Sequence, residues 1–126
     1  MADRPLGATG SPIRDKSYAF ALRAVRLARD LRQQRHYDLA RQILRCGTSV
    51  GANVEEAQAG SSKADFVAKI AIAGREARES RYWLHLIRDS ETRSGSDVDE
   101  MIGEIREIIL LLTSIVKTSR ETPSPS

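Results

Sequence analysis

From Leu39 to Ala57, apolar or small residues recur at Leu39, Ile43, Gly47, Val50, Val54 and Ala57. This is the spacing of one helix face turned to a core. Beside it runs a polar column at heptad spacing: Gln42, Cys46, Ser49, Asn53 and Glu56. Three further helical patterns flank this one. The first, about Asp15 to Gln34, has two apolar seams. One is Phe20, Ala24, Leu27 and Leu31; the other is Tyr18, Ala21, Leu22, Val25 and Ala28. The third carries Phe66, Ile70, Ala73, Ala77, Ser80, Leu84 and Ile87 in alternating steps of four and three, the repeat of left-handed bundle packing. The fourth carries Val98, Met101, Ile105, Ile108, Leu112 and Ile115. Period-two alternation, the mark of a strand, is absent.

The punctuation agrees. Asp38 is placed to cap the second helix and Gly60 to end it. Ser62 with Asp65 reads as a capping-box variant opening the third helix. Ser96 or Asp97 opens the fourth, where Asp97, Asp99 and Glu100 suit the positive end of the helix dipole. Short connections between long helices force antiparallel neighbours. The expected fold is all-α, an up-down-up-down four-helix bundle over residues 14–120. Pro5, Gly7, Gly10, Ser11 and Pro12 mark residues 1–13 as a disordered extension, and residues 121–126 read as a disordered tail.

The helices carry more ordered faces than one small core can bury. Besides the two seams of the first helix and the polar column of the second, the third has a mixed face of Lys69, Ile72, Glu76, Glu79, Trp83 and Leu86. Such a surplus points to a homo-oligomer. Trp83 is its best anchor candidate. Glu56, Glu76 and Glu79 are expected to pair between subunits with arginines such as Arg45, Arg75 or Arg78. Gln42, Ser49 and Asn53 would complete hydrogen bonds that fix the register.

Composition narrows the classes. With 126 residues the chain is one domain, long enough to fold without staples. Its single cysteine, Cys46, forms no internal bridge and fits a reducing, cytoplasmic setting in a bacterial-type protein. MADRPLGATGSPIRDK lacks the apolar stretch of a signal peptide. The longest apolar run, Ile108 to Leu112, is too short for a membrane span, so no membrane partner is expected.

Net charge is +3, but it is unevenly spread. Met1 to Tyr37 holds eight Arg and Lys against three Asp, a net of +5, whereas Ser94 to Ser126 holds three against six Asp and Glu, a net of −3. Two readings follow. The basic first helix meets RNA or DNA, or it lies beside the acidic last helix. Arg23, Arg26, Arg29, Arg32 and Arg35 recur every third residue. Each step turns about 60° round the axis, so they wind rather than form a stripe. Lys16, Arg23, Arg26, Arg29 and Arg32 are the candidate phosphate contacts. Copies in an oligomer would multiply their effect.

Chemistry is otherwise sparse. Glu56, Glu76 and Glu79 suggest a carboxylate cluster, but a di-iron bundle needs Glu-x-x-His pairs. Neither His36 nor His85 follows a Glu by three residues, so no metal or other cofactor is expected. His85 reads as a surface residue. Cys46 sits mid-helix, where nothing lowers its pKa, and reads as a small buried hydrophobe. Gly47 and Gly51 are spaced for a close helix approach. No catalytic residue is assigned and no enzyme is expected. An RNA-binding motif with paired aromatics is also missing.

Several strings resemble the 23S rRNA-intervening-sequence proteins, a bacterial four-helix-bundle family. They are Gln42-Ile43-Leu44-Arg45, Thr48-Ser49-Val50-Gly51-Ala52-Asn53-Val54, Glu56-Ala57, Ser62 with Asp65-Phe66, Lys69-Ile70 with Ile72-Ala73, and Glu76-Ala77 with Glu79 and Tyr82-Trp83-Leu84. The resemblance is close from about Tyr18 to Arg88. Gly74 departs from it, since the family often has a long side chain there, and so does the Pro/Gly-rich N-terminus. The resemblance implies a ring, typically a homopentamer. It also implies kinship with accessory proteins of diversity-generating retroelements, which bind nucleic acid and reverse transcriptase. The expected roles are therefore nucleic-acid binding through the first helix or, alternatively, scaffolding of a protein such as a reverse transcriptase.

Overall fold

The computed structural model describes residues 5–90, 92 and 96–121. Four helices follow one another: α1 Pro12–Gln33, α2 Tyr37–Gln58, α3 Lys63–Asp89 and α4 Ser96–Glu121. Ion pairs fix their directions. Arg14 near the start of α1 meets Glu55 near the end of α2. Arg88 at the end of α3 meets Asp99 at the start of α4. Lys16 and Arg23 meet Glu107 and Glu100, so α1 and α4 also run antiparallel.

The seams of the four patterns form one core. Phe20, Leu31, Ile43, Val50, Val54, Ile70, Leu84, Ile87, Val98, Ile105 and Ile108 are fully buried. Leu39, Phe66 and Ile115 pack at its margin. Cys46, the second member of the polar column, belongs to this core as well. Its Sγ donates to the Gln42 carbonyl at 3.0 Å, and burial pushes the thiol pKa up.

Gly47 and Gly51 set the α1–α2 spacing. A Cβ on Gly47 would lie 2.7 Å from the Ala24 Cβ, and one on Gly51 would lie 3.3 Å from the Ser17 carbonyl oxygen. Only the missing side chains let the helices come this close.

The helix ends differ from the sequence reading in places. Asp38 is not the cap of α2. His36 holds that position without a side-chain bond, and Asp38 sits in the first turn, where it pairs with Arg41. Ala59 caps the C-terminus of α2, and Gly60 follows it, its N–H reaching the Ala57 carbonyl at 3.2 Å. At α3 the Ser62 hydroxyl accepts from the Asp65 N–H at 3.1 Å, as a cap should. The Asp65 carboxylate does not reach back to Ser62; it accepts from Ser61 Oγ at 2.7 Å.

The α1–α2 connection is a Schellman turn. The His36 N–H reaches the Leu31 carbonyl at 2.8 Å and the Arg35 N–H reaches that of Arg32 at 2.9 Å, the paired bonds of that motif. Its left-handed position, normally glycine, is Arg35 with φ 67°. Holding a Cβ there costs about 1 kcal/mol or more. Arg35→Gly is therefore expected to stabilise the fold by about 1 kcal/mol, less what a freer unfolded chain takes back. Urea denaturation measures it; a variant less stable than the parent contradicts the strain.

Residues 5–13, read as disordered, are folded. Leu6–Ala8 form a 3-10 turn, and α1 begins at Pro12 rather than Asp15. Gly10 adopts φ 88°, and Pro12 occupies the first helical position, where its missing N–H is harmless. The Asp15 carboxylate accepts from the Thr9 N–H at 2.8 Å, the Thr9 hydroxyl at 2.7 Å and the Gly10 N–H at 3.1 Å. Glycine and proline thus shape a strap rather than break order. Residues 1–4 lie outside the described residues, as do 122–126 of the expected tail, whose first member, Glu121, ends α4.

These hydrogen bonds, that of the Thr9 side chain foremost, lower the Asp15 pKa. A depressed carboxylate contributes stability above its unfolded pKa of about 3.9, and the contribution is lost as pH falls through the folded value. The Thr9 amide signal in NMR should accordingly titrate below about pH 3.9 and be displaced in Asp15→Asn. A midpoint at or above that value contradicts the strap.

Candidate nucleic-acid interface

The basic residues of α1 divide into two groups. Those in its first half are neutralised. Arg14 donates through Nε and Nη2 to the two Glu55 carboxylate oxygens, each at 2.9 Å. That hydrogen-bonded pair raises its pKa. Lys16 Nζ lies 2.9 Å from Glu107 Oε2. Arg23 bonds Glu104, Glu100 at 2.9 Å and the Asp97 carbonyl at 3.3 Å. Burial works against the Arg23 charge, and the carboxylates of Glu100 and Glu104 more than offset it, so its pKa is raised. The basic first helix does lie beside the acidic last one, over this half. Lys16 and Arg23 are thus occupied where the sequence made them phosphate contacts.

The second half of α1 is different. Arg26, Arg29 and Arg32, and Arg35 in the turn that follows, are exposed, and their side chains form no ion pair among the described residues. They wind round the helix as three-residue steps require. Arg26 borders a hollow over α4 with Asp97 and Met101. Arg29 and Arg32 turn to the α2 side, where they line an open groove with Val25, Tyr37 and Leu44. Arg41 enters the same corner beside Arg32, Tyr37 and Ala40. Neither Tyr37 nor Arg41 was singled out in the sequence; only tertiary placement brings them to Arg29 and Arg32.

The polar seam of α2 and α3 comes together around Arg45. This residue donates to Glu79, to Glu76 at 3.4 Å and to Gln42 Oε1 at 3.2 Å. The pairing expected between subunits is therefore made within one chain by Arg45, because antiparallel α2 and α3 set it opposite both glutamates. Glu56 is exposed and has no ion pair among the described residues. Asn53 Nδ2 donates to the Ser49 carbonyl at 2.9 Å and to Ser49 Oγ at 3.1 Å, both on its own helix. Trp83 is half-buried at the core margin, edge-on to Tyr82 at 5.4 Å. Its Nε1 is shut from solvent with no acceptor among the described residues. His85, read as a surface residue, is half-buried and accepts from Arg88 Nη2 through Nδ1 at 3.1 Å.

One sequence expectation remains on the surface. The second seam of α1 exposes Tyr18, Leu22 and Val25, and Leu6 of the N-terminal turn is exposed too. Ala28 of that seam is buried. No helix of the described residues is long and apolar enough to cross a membrane.

The bundle thus carries exposed arginines without ion pairs on and after the end of α1, with an exposed apolar strip beside them. The chain belongs to the 23S rRNA-intervening sequence protein family, whose model matches residues 11–114. It is similar to a solved structure of a protein with unknown function from the S23 ribosomal protein family of Bacteroides thetaiotaomicron. The two share 42% identity over 83% of this chain and 98% of that one, with a TM-score of 0.80. Comparison with curated proteins yields no match.

Proposed function

We propose that this protein is a non-enzymatic, self-assembling interaction module that holds nucleic acid by its phosphates through the second half of α1. The observation that carries this reading is the division of the α1 cations. Arg14, Lys16 and Arg23 are spent on glutamates, while Arg26, Arg29 and Arg32 stand exposed. An unpaired guanidinium gains more from a phosphate than one that must first leave a carboxylate. The family name makes RNA the first ligand to try.

Fluorescence anisotropy with labelled RNA and DNA at several salt concentrations tests it. The binding constant should fall steeply with salt, with a log–log slope of about −0.9 per phosphate neutralised on duplex DNA or about −0.7 on single strands. No binding to either at low salt contradicts the reading.

Assembly is the second half of the proposal. The exposed strip of Tyr18, Leu22 and Val25 suits burial against another copy, and the resemblance suggests a ring of five. Light scattering should give about five times the 14.0 kDa subunit mass; a stable monomer at micromolar concentration rules the ring out. The same strip favours a second reading, in which the module scaffolds another protein such as a reverse transcriptase without touching nucleic acid.

A further inference from the structure

We propose that the α1–α2 corner binds an unpaired base, making the preferred ligand a single-stranded nucleic acid rather than a duplex. This rests on the phosphate-binding reading above and adds a ligand class to it. The corner combines three features. Tyr37, the first residue of α2, is 56% exposed. Arg29, Arg32 and Arg41 stand around it, with Val25, Ala40 and Leu44 along the same two grooves. Arg35 fixes the turn between them in a left-handed conformation, within two main-chain hydrogen bonds.

A duplex hides the faces of its bases in the stack and offers a convex corner only phosphates. A single strand offers a face and a phosphate in each nucleotide. An aromatic ring flanked by cations matches that pair of groups, the ring stacking on the base and the guanidinia meeting the backbone. Leu44, half-buried, gives both grooves an apolar floor, which a duplex backbone would leave unused. The turn pre-sets the ring relative to Arg32, so little ordering is needed on binding.

The test uses the full chain and a fluorescein-labelled 12-nucleotide oligouridine, beside a hairpin duplex of matched charge. Circular dichroism and light scattering confirm that each variant keeps the parent's fold and mass. The parent is expected to bind the single strand more tightly. Tyr37→Leu should lose roughly 5- to 100-fold of that affinity, the loss of one stacked base. It should leave duplex affinity and the salt slope unchanged. Tyr37→Phe, which keeps the ring, should bind within about threefold of the parent. Equal or tighter duplex binding, or a Tyr37→Leu variant that binds oligouridine like the parent, overturns the single-strand inference while phosphate binding stands. Absence of binding to both ligands overturns the phosphate reading itself.

Discussion

Gly47→Leu is expected to destabilise the bundle by about 3 kcal/mol or more. The first added atom already collides. A Cβ at Gly47 would sit 2.7 Å from the Ala24 Cβ and 3.5 Å from a ring carbon of Phe20. The Ala24 methyl is fixed to the α1 backbone and has no rotamer to retreat into, so the helices themselves must part. Ala24 and Phe20 are fully buried, and parting α1 from α2 would loosen every layer they share. Overpacking a core typically costs about 1–3 kcal/mol and occasionally more, a large fraction of an ordinary domain stability of about 5–15 kcal/mol. Even Gly47→Ala should destabilise, although alanine favours a helix over glycine by about 1 kcal/mol. Gly103 supplies the contrast. A Cβ there meets nothing within 4 Å, so Gly103→Ala should gain roughly that propensity term. Urea denaturation of the pair decides it. Equal effects at the two sites would mean that Gly47 does not set the α1–α2 distance.

The second large effect concerns binding. Replacing Arg26, Arg29 and Arg32 together with Gln is expected to lower nucleic-acid affinity at least about tenfold and to flatten the salt slope. Three lost phosphate contacts reduce the slope by about 2 on a single strand or about 2.7 on duplex DNA. Stability should hardly change, since none of the three makes an ion pair among the described residues and surface substitutions of this kind stay within about 0.5 kcal/mol. In a ring, each lost contact is repeated in every subunit, and the fall in affinity grows accordingly.

The seams of the bundle were legible because burial writes itself into spacing. Ile43, Val50 and Val54 recur where one face of a helix recurs, and all three are fully buried. The Ser62 cap was legible because it is local. Pairings between helices were less so. Arg45 could be named as a partner for Glu76 and Glu79, but whether it reached them within one chain depended on how α2 and α3 slide past each other. The N-terminal strap escaped because composition reports Pro5, Gly7 and Pro12 without reporting that Asp15 can close on Thr9 and Gly10. The basic helix shows the limit most clearly. Eight cations could be counted in the first 37 residues, yet which of them Glu55, Glu100, Glu104 and Glu107 occupy is settled only by the packing of α2 and α4 on α1. Tyr37 carried no signal at all, since its place beside Arg29, Arg32 and Arg41 arises only from the packing of α2 on α1.

The division of the α1 cations is tested most directly by two triple variants titrated with the same labelled RNA. One carries Gln at Arg26, Arg29 and Arg32; the other carries Gln at Arg14, Lys16 and Arg23. Each removes three positive charges, so any difference reflects position and not net charge. The first should keep the parent's stability and lose about two units of salt slope. The second should be less stable than the parent, since it removes the partners of Glu55, Glu100, Glu104 and Glu107, and keep the slope within about half a unit. The same slope in both variants, or the larger loss in the Arg14, Lys16 and Arg23 variant, would contradict the assignment of nucleic-acid binding to the second half of α1.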